Sequence, residues 1–187
     1  MTKRREFLKS AAVVASASLL PSSLWALAKD GRLRTAHIGV NGMGAADLAS
    51  FASHDSVDIT VLCDVDAKAL AAAKKLYPNA KTYTDYRIML SEMGNSIDAV
   101  VVSTPDHTHA PASMMAMEMD KPVYCQKPLT HHVSEARAMN KLAKKKKLVT
   151  QMGIQVHSFY DYKLATILIQ DGIIGKLSPE PNSATLG

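Results

Sequence analysis

The sequence predicts an α/β fold built as a doubly wound parallel sheet. Three observations predict it. Short apolar runs alternate with amphipathic stretches of about ten residues. The first apolar run ends in a glycine-rich turn. Six such runs occur within about 120 residues, enough for one open sheet. The chain has 187 residues, and 47% of them are hydrophobic, so one core can be filled. It is too short for two full domains of ordinary size.

The elements follow in order. Thr35-Ala36-His37-Ile38-Gly39 reads as the first strand, followed by glycines and a helix through Leu48 and Phe51. Val57 to Cys63 is the second strand, rich in β-branched residues. Asp66 to Leu76 is Ala- and Lys-rich and helical, and Pro78 stops it. Lys81-Thr82-Tyr83 is a short strand. Asp85 to Met93 is a helix with Gly94 as its stop. Ile97 to Ser103 is a buried strand, Ala110 to Met119 a helix, and Pro122 to Cys125 a strand. Ser134 to Lys147 is a helix and Leu148 to Gln151 the last strand. The methionines of the 114–119 segment read as core filling.

The chain has a net charge of +5, which raises the question of a polyanionic partner. Much of that charge sits in the first 28 residues. Arg4-Arg5 is followed by Phe7-Leu8-Lys9, then by the mildly apolar run Ala11 to Leu20 and by Ala26-Leu27-Ala28. This order resembles a twin-arginine export signal with a small-x-small cleavage site. Ten residues reach only about half way across a bilayer core, so the run is too short to span. Without residues 1–28 the chain carries +2 over 159 residues. Lys144 to Lys147 close a helix, where they suit its negative end and face water. No aromatic residues interleave with them, so no nucleic-acid partner is expected.

The chemistry begins at Gly39-Val40-Asn41-Gly42-Met43-Gly44. A strand turning sharply into a helix presents backbone N–H groups and the positive end of the helix dipole to an anion. Gly39 and Gly44 take the first and third places of a G-x-G-x-x-G pattern, and Asn41 takes the second. Gly42 restores room beside it. Asp64 closes the second strand, twenty residues after Gly44, where an acid accepts hydrogen bonds from both ribose hydroxyls of an adenosine. It would repel a 2′-phosphate, so NAD is expected over NADP. The reading is a Rossmann-like dinucleotide-binding domain, with strand order 3-2-1-4-5-6.

Two further motifs follow the fourth and fifth strands: Ser103-Thr104-Pro105-Asp106-His107-Thr108-His109 and Cys125-Gln126-Lys127-Pro128-Leu129. Together with the glycine turn they resemble the Gfo/Idh/MocA family of NAD(P)-dependent oxidoreductases, and the export signal and Gln-Lys-Pro variant resemble its exported bacterial members. The resemblance runs from about Leu33 to Lys176. It implies that Lys127 is catalytic, beside the nicotinamide and the reacting carbinol. It places Gly39, Asn41, Gly42, Met43, Gly44, Asp64, Thr104, Pro105, His109, Gln126 and Lys127 along the cofactor. Gln126 stands where the family more often has glutamate. The resemblance implies a small sugar-like substrate and leaves a homo-oligomer open.

His107 and His109 alternate, so in an extended segment they would share one side. With His131, His132 and Cys125 they suggest a metal site, but the spacing is not diagnostic and no metal is expected. Cys63 and Cys125 end strands three spacings apart, about 14 Å at ~4.8 Å each. A disulfide needs Cα atoms within about 7 Å, so free thiols are expected.

The organisation expected is a signal peptide over 1–28, a dinucleotide-binding domain over 29–153, and the start of a substrate domain over 154–187. Tyr160 to Gln170 would be that domain's first helix, exposing Leu164, Ile167 and Leu168. Pro179 and Pro181 cannot serve a central strand, so the chain reads as truncated and catalytically incomplete. Two other readings remain open: a non-catalytic NAD-binding module, and a glycosidase that uses NAD for transient oxidation. Export through the twin-arginine route, to the periplasm or beyond, is the expected localisation.

Overall fold

The structure is a computed structural model, and it describes residues 31–173 and 175. Residues 1–28, where an export signal is expected, and Pro179 and Pro181 therefore lie outside the described residues. The chain divides into two compact units between Met152 and Gly153.

The first unit is a six-stranded sheet in the order β3-β2-β1-β4-β5-β6. Its strands are β1 (Leu33–Ile38), β2 (Val57–Cys63), β3 (Lys81–Tyr83), β4 (Ala99–Val102), β5 (Val123–Gln126) and β6 (Thr150–Gly153). β1 runs parallel to β2 and β4, β2 to β3, and β4 to β5. The helices are α1 (Met43–Ala52), α2 (Ala67–Leu76), α3 (Tyr86–Met93), α4 (Asp106–Glu118) and α5 (Val133–Lys146). This is the doubly wound α/β arrangement, and the chain reverses direction across the sheet after β3.

Strand periodicity divides the core. Ala36, Ile38, Val61, Cys63, Val100, Val102 and Cys125 join Met89, Leu90 and Met117 in one cluster. Leu62 and Ile59 join Leu48, Leu70 and Ala73 in the other. Met117 and Met89 are fully buried, while Met114, Met115 and Met119 are half-buried against the first cluster. The methionines thus fill the core, as their sequence pattern suggests.

Local chemistry sets the helix ends. The Asp66 carboxylate accepts from the Lys68 and Ala69 amides and starts α2. Asp85 does the same for Arg87 at α3. The His132 amide donates to Glu135 Oε2 at 2.9 Å where α5 opens, and Lys147 ends the helix in a left-handed conformation. At the base of the sheet, Asp98 accepts from the amide, Nε and Nη2 of Arg34 at 2.9, 2.9 and 2.6 Å. Burial opposes the charge on Asp98, but the Arg34 bonds outweigh it and hold the carboxyl below the usual range.

One element departs from the sequence reading in a way that matters. α4 starts at Asp106, four residues before Ala110, and carries Pro111 within it. Pro105 and the acidic Asp106 open the helix, and their signal outranks the break that Pro111 suggests. Asp106-His107-Thr108-His109 is therefore helical and not extended. His107 and His109 consequently do not share a side: His109 is 1% exposed, whereas the His107 side chain is 70% exposed. The other boundaries shift by one or two residues in most places.

The second unit contains a 3-10 turn (Gln155–Ser158) and α6 (Tyr160–Gln170). Leu164, Ile167 and Leu168 of α6 are exposed.

Candidate cofactor and reaction site

The glycine turn is built by close approach. Gly39 has φ +86°, and a Cβ there would lie 2.5 Å from the Ser103 carbonyl oxygen. A Cβ on Gly44 would strike the carbonyl oxygen of Gly39. Both positions therefore admit glycine only: the first brings β1 against the end of β4, and the second seats α1 on the turn. Between them, Asn41 is exposed and its Oδ1 accepts from the Gly42 amide at 2.8 Å. Nothing lies within 4 Å of a Cβ built on Gly42, so the bulk of Asn41 has open space beside it. Met43 is the first residue of α1, whose positive end opens at the turn.

Asp64 ends β2 beside this turn. Its Oδ2 accepts from the Val40 amide at 2.8 Å and its Oδ1 from the Asp66 amide at 2.9 Å. The carboxylate is thus fixed in orientation, and each oxygen retains capacity for a further donor. A cleft of about 460 Å³ runs from Asp64 and Val65 past Gly39 and Asn41 to Ser103, Thr104, Pro105 and His107, with Thr84 and Tyr86 on one wall. Its size suits a nucleotide-sized ligand. The pattern of glycines and acid located the turn; Thr84 and Tyr86 carry no motif, and only the folding of β3 and α3 beside β2 brings them in.

Gln126 and Lys127 come from the end of β5. Gln126 is 4% exposed and Lys127 is exposed. Behind them stands Asp47 of α1, only 6% exposed. Asp47 accepts from Ser103 Oγ at 2.6 Å and from Gln126 Nε2 at 3.0 Å to each carboxylate oxygen. The Lys127 amide donates to Gln126 Oε1 at 3.0 Å. Sequence reasoning missed Asp47. The available signal was an acid on the inner face of α1, which it shares with Gly44 and Leu48 at helical spacing.

His109 joins the two motifs. Its ring nitrogens lie 2.6 Å from the Pro128 carbonyl oxygen and 2.7 Å from that of Thr104. The side chain is buried and tied to backbone, so it braces the Lys127 turn against the cleft wall. A second, outer link lies between His131 Nδ1 and Asp106 Oδ2 at 3.5 Å. The hydrogen bond to His131 is the main reason that the Asp106 carboxyl is held below its usual range. Among the described residues, no three His, Cys, Asp or Glu side chains group as metal ligands would.

Known proteins share this fold. Residues 33–154 match the GFO_IDH_MocA family, described as "Oxidoreductase family, NAD-binding Rossmann fold". The chain belongs to the Gfo/Idh/MocA family. Its residues 33–154 are accordingly an NAD-binding Rossmann domain. A glycosyl hydrolase family 109 protein of Stenotrophomonas maltophilia is 33% identical over 136 residues, covering 66% of this chain and 29% of that protein. The inositol 2-dehydrogenase of Corynebacterium glutamicum (strain R) is 29% identical over 147 residues, covering 78% of this chain and 43% of its own. Among solved structures, the myo-inositol 2-dehydrogenase of Lactobacillus plantarum superposes with a TM-score of 0.71 at 28% identity, covering 78% of this chain and 43% of that one. The scyllo-inositol dehydrogenase of Lactobacillus casei, solved with NAD(H) and scyllo-inositol, shares the fold at a TM-score of 0.69 and 20% identity, covering 78% and 43%. The chain spans less than half the length of each of these relatives.

NAD fits the residues of this Gfo/Idh/MocA domain. Gly42 leaves open space at the start of α1, where nothing lies within 4 Å of a Cβ, and Asp64 retains acceptor capacity at the cleft's end.

Proposed function

We propose that this chain is the cofactor-binding part of an exported oxidoreductase that acts on a sugar or cyclitol hydroxyl. One observation carries the reading. His109 ties the wall of the nucleotide cleft, at Thr104, to the turn that presents Lys127, at Pro128. A cofactor lying along the cleft would thereby have an ammonium group placed near its far end.

Each residue then has a task. Gly39, Asn41, Gly42, Met43 and Gly44 receive the pyrophosphate at the start of α1. Asp64 accepts from the adenosine ribose hydroxyls and disfavours a 2′-phosphate. NAD, when bound, supplies the hydride acceptor. Lys127 donates a hydrogen bond to the substrate hydroxyl oxygen and stabilises the negative charge that develops there as hydride leaves the carbon. Thr104 and Pro105 form the cleft wall, and His109 and Gln126 hold the Lys127 turn in place. The substrate-recognising residues belong to the part of the relatives' length that this chain does not span. The first 28 residues direct export by the twin-arginine route, which suits a protein that folds around its cofactor before leaving the cytoplasm.

Calorimetric titration of the chain with NAD⁺ and NADP⁺ tests the reading. NAD⁺ binds more tightly in the wild type. Asp64→Ala costs NAD⁺ about 1–3 kcal/mol, the scale of hydrogen bonds to a charged group, and NADP⁺ less. Failure of both dinucleotides to bind the folded chain overturns the reading, and equal losses remove Asp64 from the ribose.

The relative named as a family 109 glycosyl hydrolase supports a second reading, an NAD-dependent glycosidase. Release of free sugar from a glycoside without net NADH, in a longer form that includes the second domain, distinguishes it from the dehydrogenase.

A further inference from the structure

We propose that Asp47 is a positioning residue for Lys127, acting through Gln126, and that these two side chains form a matched carboxylate–amide pair. The inference rests on the reading of Lys127 as the group that meets the substrate.

Donors and acceptors dictate the pair. The Lys127 backbone N–H can only donate, so position 126 must offer it an oxygen. The Asp47 carboxylate, which already accepts from Ser103 Oγ, calls for a further donor. Gln126 meets both demands: Oε1 faces Lys127, and Nε2 lies 3.0 Å from each Asp47 oxygen. The two neighbours thus fix the amide's orientation without ambiguity.

A glutamate at 126, the residue that the resemblance leads one to expect, fails this test beside Asp47. It would set two carboxylates about 3 Å apart in a buried site, where only one can ionise at modest cost. Asp47 therefore accounts for the glutamine. The same pair also joins two structural units of the site. Asp47 lies on α1, which the glycine turn feeds, and Gln126 lies at the end of β5, immediately before Lys127. Ser103, at the end of β4, completes the bridge. Among the described residues, Tyr124 is a titratable group that senses the pair: its phenol is pushed up by burial first and by the Asp47 charge second.

The pairing predicts a reversible exchange. In the double variant Asp47→Asn with Gln126→Glu, the amide moves to the helix and the carboxylate to the strand. The relocated amide would accept from Ser103 Oγ and donate to the relocated carboxylate. That carboxylate would still accept from the Lys127 backbone N–H.

The experiment compares the wild-type chain with Gln126→Glu, Asp47→Asn and the double variant. Thermal unfolding is followed from roughly pH 5 to pH 8, below the range in which a tyrosine ionises. NAD⁺ titration follows on the same samples. In Gln126→Glu the introduced carboxyl is held above its unfolded value. Its folded form is therefore tolerated at low pH and loses stability as pH rises. The expected result is a Tm that falls relative to wild type by roughly 5 °C or more toward pH 8. NAD⁺ affinity falls with it, and the double variant restores both. A flat pH profile for Gln126→Glu, or a double variant no better than the worse single one, overturns the pairing. If the wild type does not bind NAD⁺ while the pH profile and its rescue appear, the pair stands and the cofactor reading falls.

Discussion

His37 shows how much one residue can bind the fold to pH. It lies on β1, fully buried, with its ring edge-on to Phe51 at 5.5 Å. Thr35 Oγ1 donates to the Asp58 carbonyl, so the oxygen accepts from His37 Nε2 at 3.1 Å. Nδ1 has no partner. Protonating it would place an unpaired N–H and a charge among apolar neighbours. Burial accordingly lowers the ring's pKa from 6.5 to about 3. Between these two values the unfolded chain binds a proton that the folded chain refuses, so stability is full above pH 6.5 and is lost as pH falls toward 3. The effect amounts to a few kcal/mol. His37→Leu flattens that acid limb. Urea unfolding at several pH values, wild type against variant, measures the difference in slope; parallel curves would remove His37 from the acid response. The sequence showed a histidine in an apolar strand but no sign of its ring environment, which depends on Phe51 and Thr35 arriving from the same face of the sheet.

At the level of elements, what the sequence made legible was the periodic part. The strands and the glycine turn follow from local patterns, because alternation and turn chemistry are written in neighbouring residues, and the strand order follows from the fold class they indicate. The start of α4 was not legible, since Pro111 argues against a helix that Pro105 and Asp106 nonetheless begin. Getting that start wrong also misplaced His107 and His109. Only the helical turn sends His109 inward to the Thr104 and Pro128 carbonyls and leaves His107 at the surface. Asp47 and Gln126 were illegible as a pair for a related reason: 79 residues separate them, and the sheet alone brings them together. The His109 brace has a measurable consequence. His109→Leu removes a buried ring that donates to at least one of these carbonyl oxygens, at a cost of about 1–3 kcal/mol where that oxygen stays dry. The loss is local to two segments. Hydrogen exchange therefore speeds up at residues 103–108, where β4 leads into α4, and at residues 126–132, while β1 and β2 keep their protection. Uniform acceleration across the sheet would mean that His109 serves general packing instead.

For the whole molecule, the strand order decides the chemistry of its two thiols. Cys63 ends β2 and Cys125 lies on β5, with β1 and β4 standing between them. That separation exceeds what a disulfide can span, so the sheet itself keeps them apart. Both are buried and free. Burial first, then the Asp64 and Asp85 charges, pushes the Cys63 thiol up to about 12. Burial also raises Cys125 to about 11, against a smaller opposing contribution from Ser113. Neither supplies much thiolate near neutral pH, and thiolate is the reactive form. The domain thus carries two cysteines into an oxidising compartment, if export is its route, without needing or forming a bridge. Alkylation of the folded chain at pH 8 should label neither cysteine within the time that labels a model thiol. Unfolding in denaturant without reductant should expose both. The second arm carries the topological information, because it asks whether the thiols were free and not merely covered. Two labels per chain agree with β2 and β5 lying three positions apart. No label after unfolding would mean a disulfide, which this sheet order cannot accommodate without breaking the β1–β4 pairing on which the cofactor cleft is built.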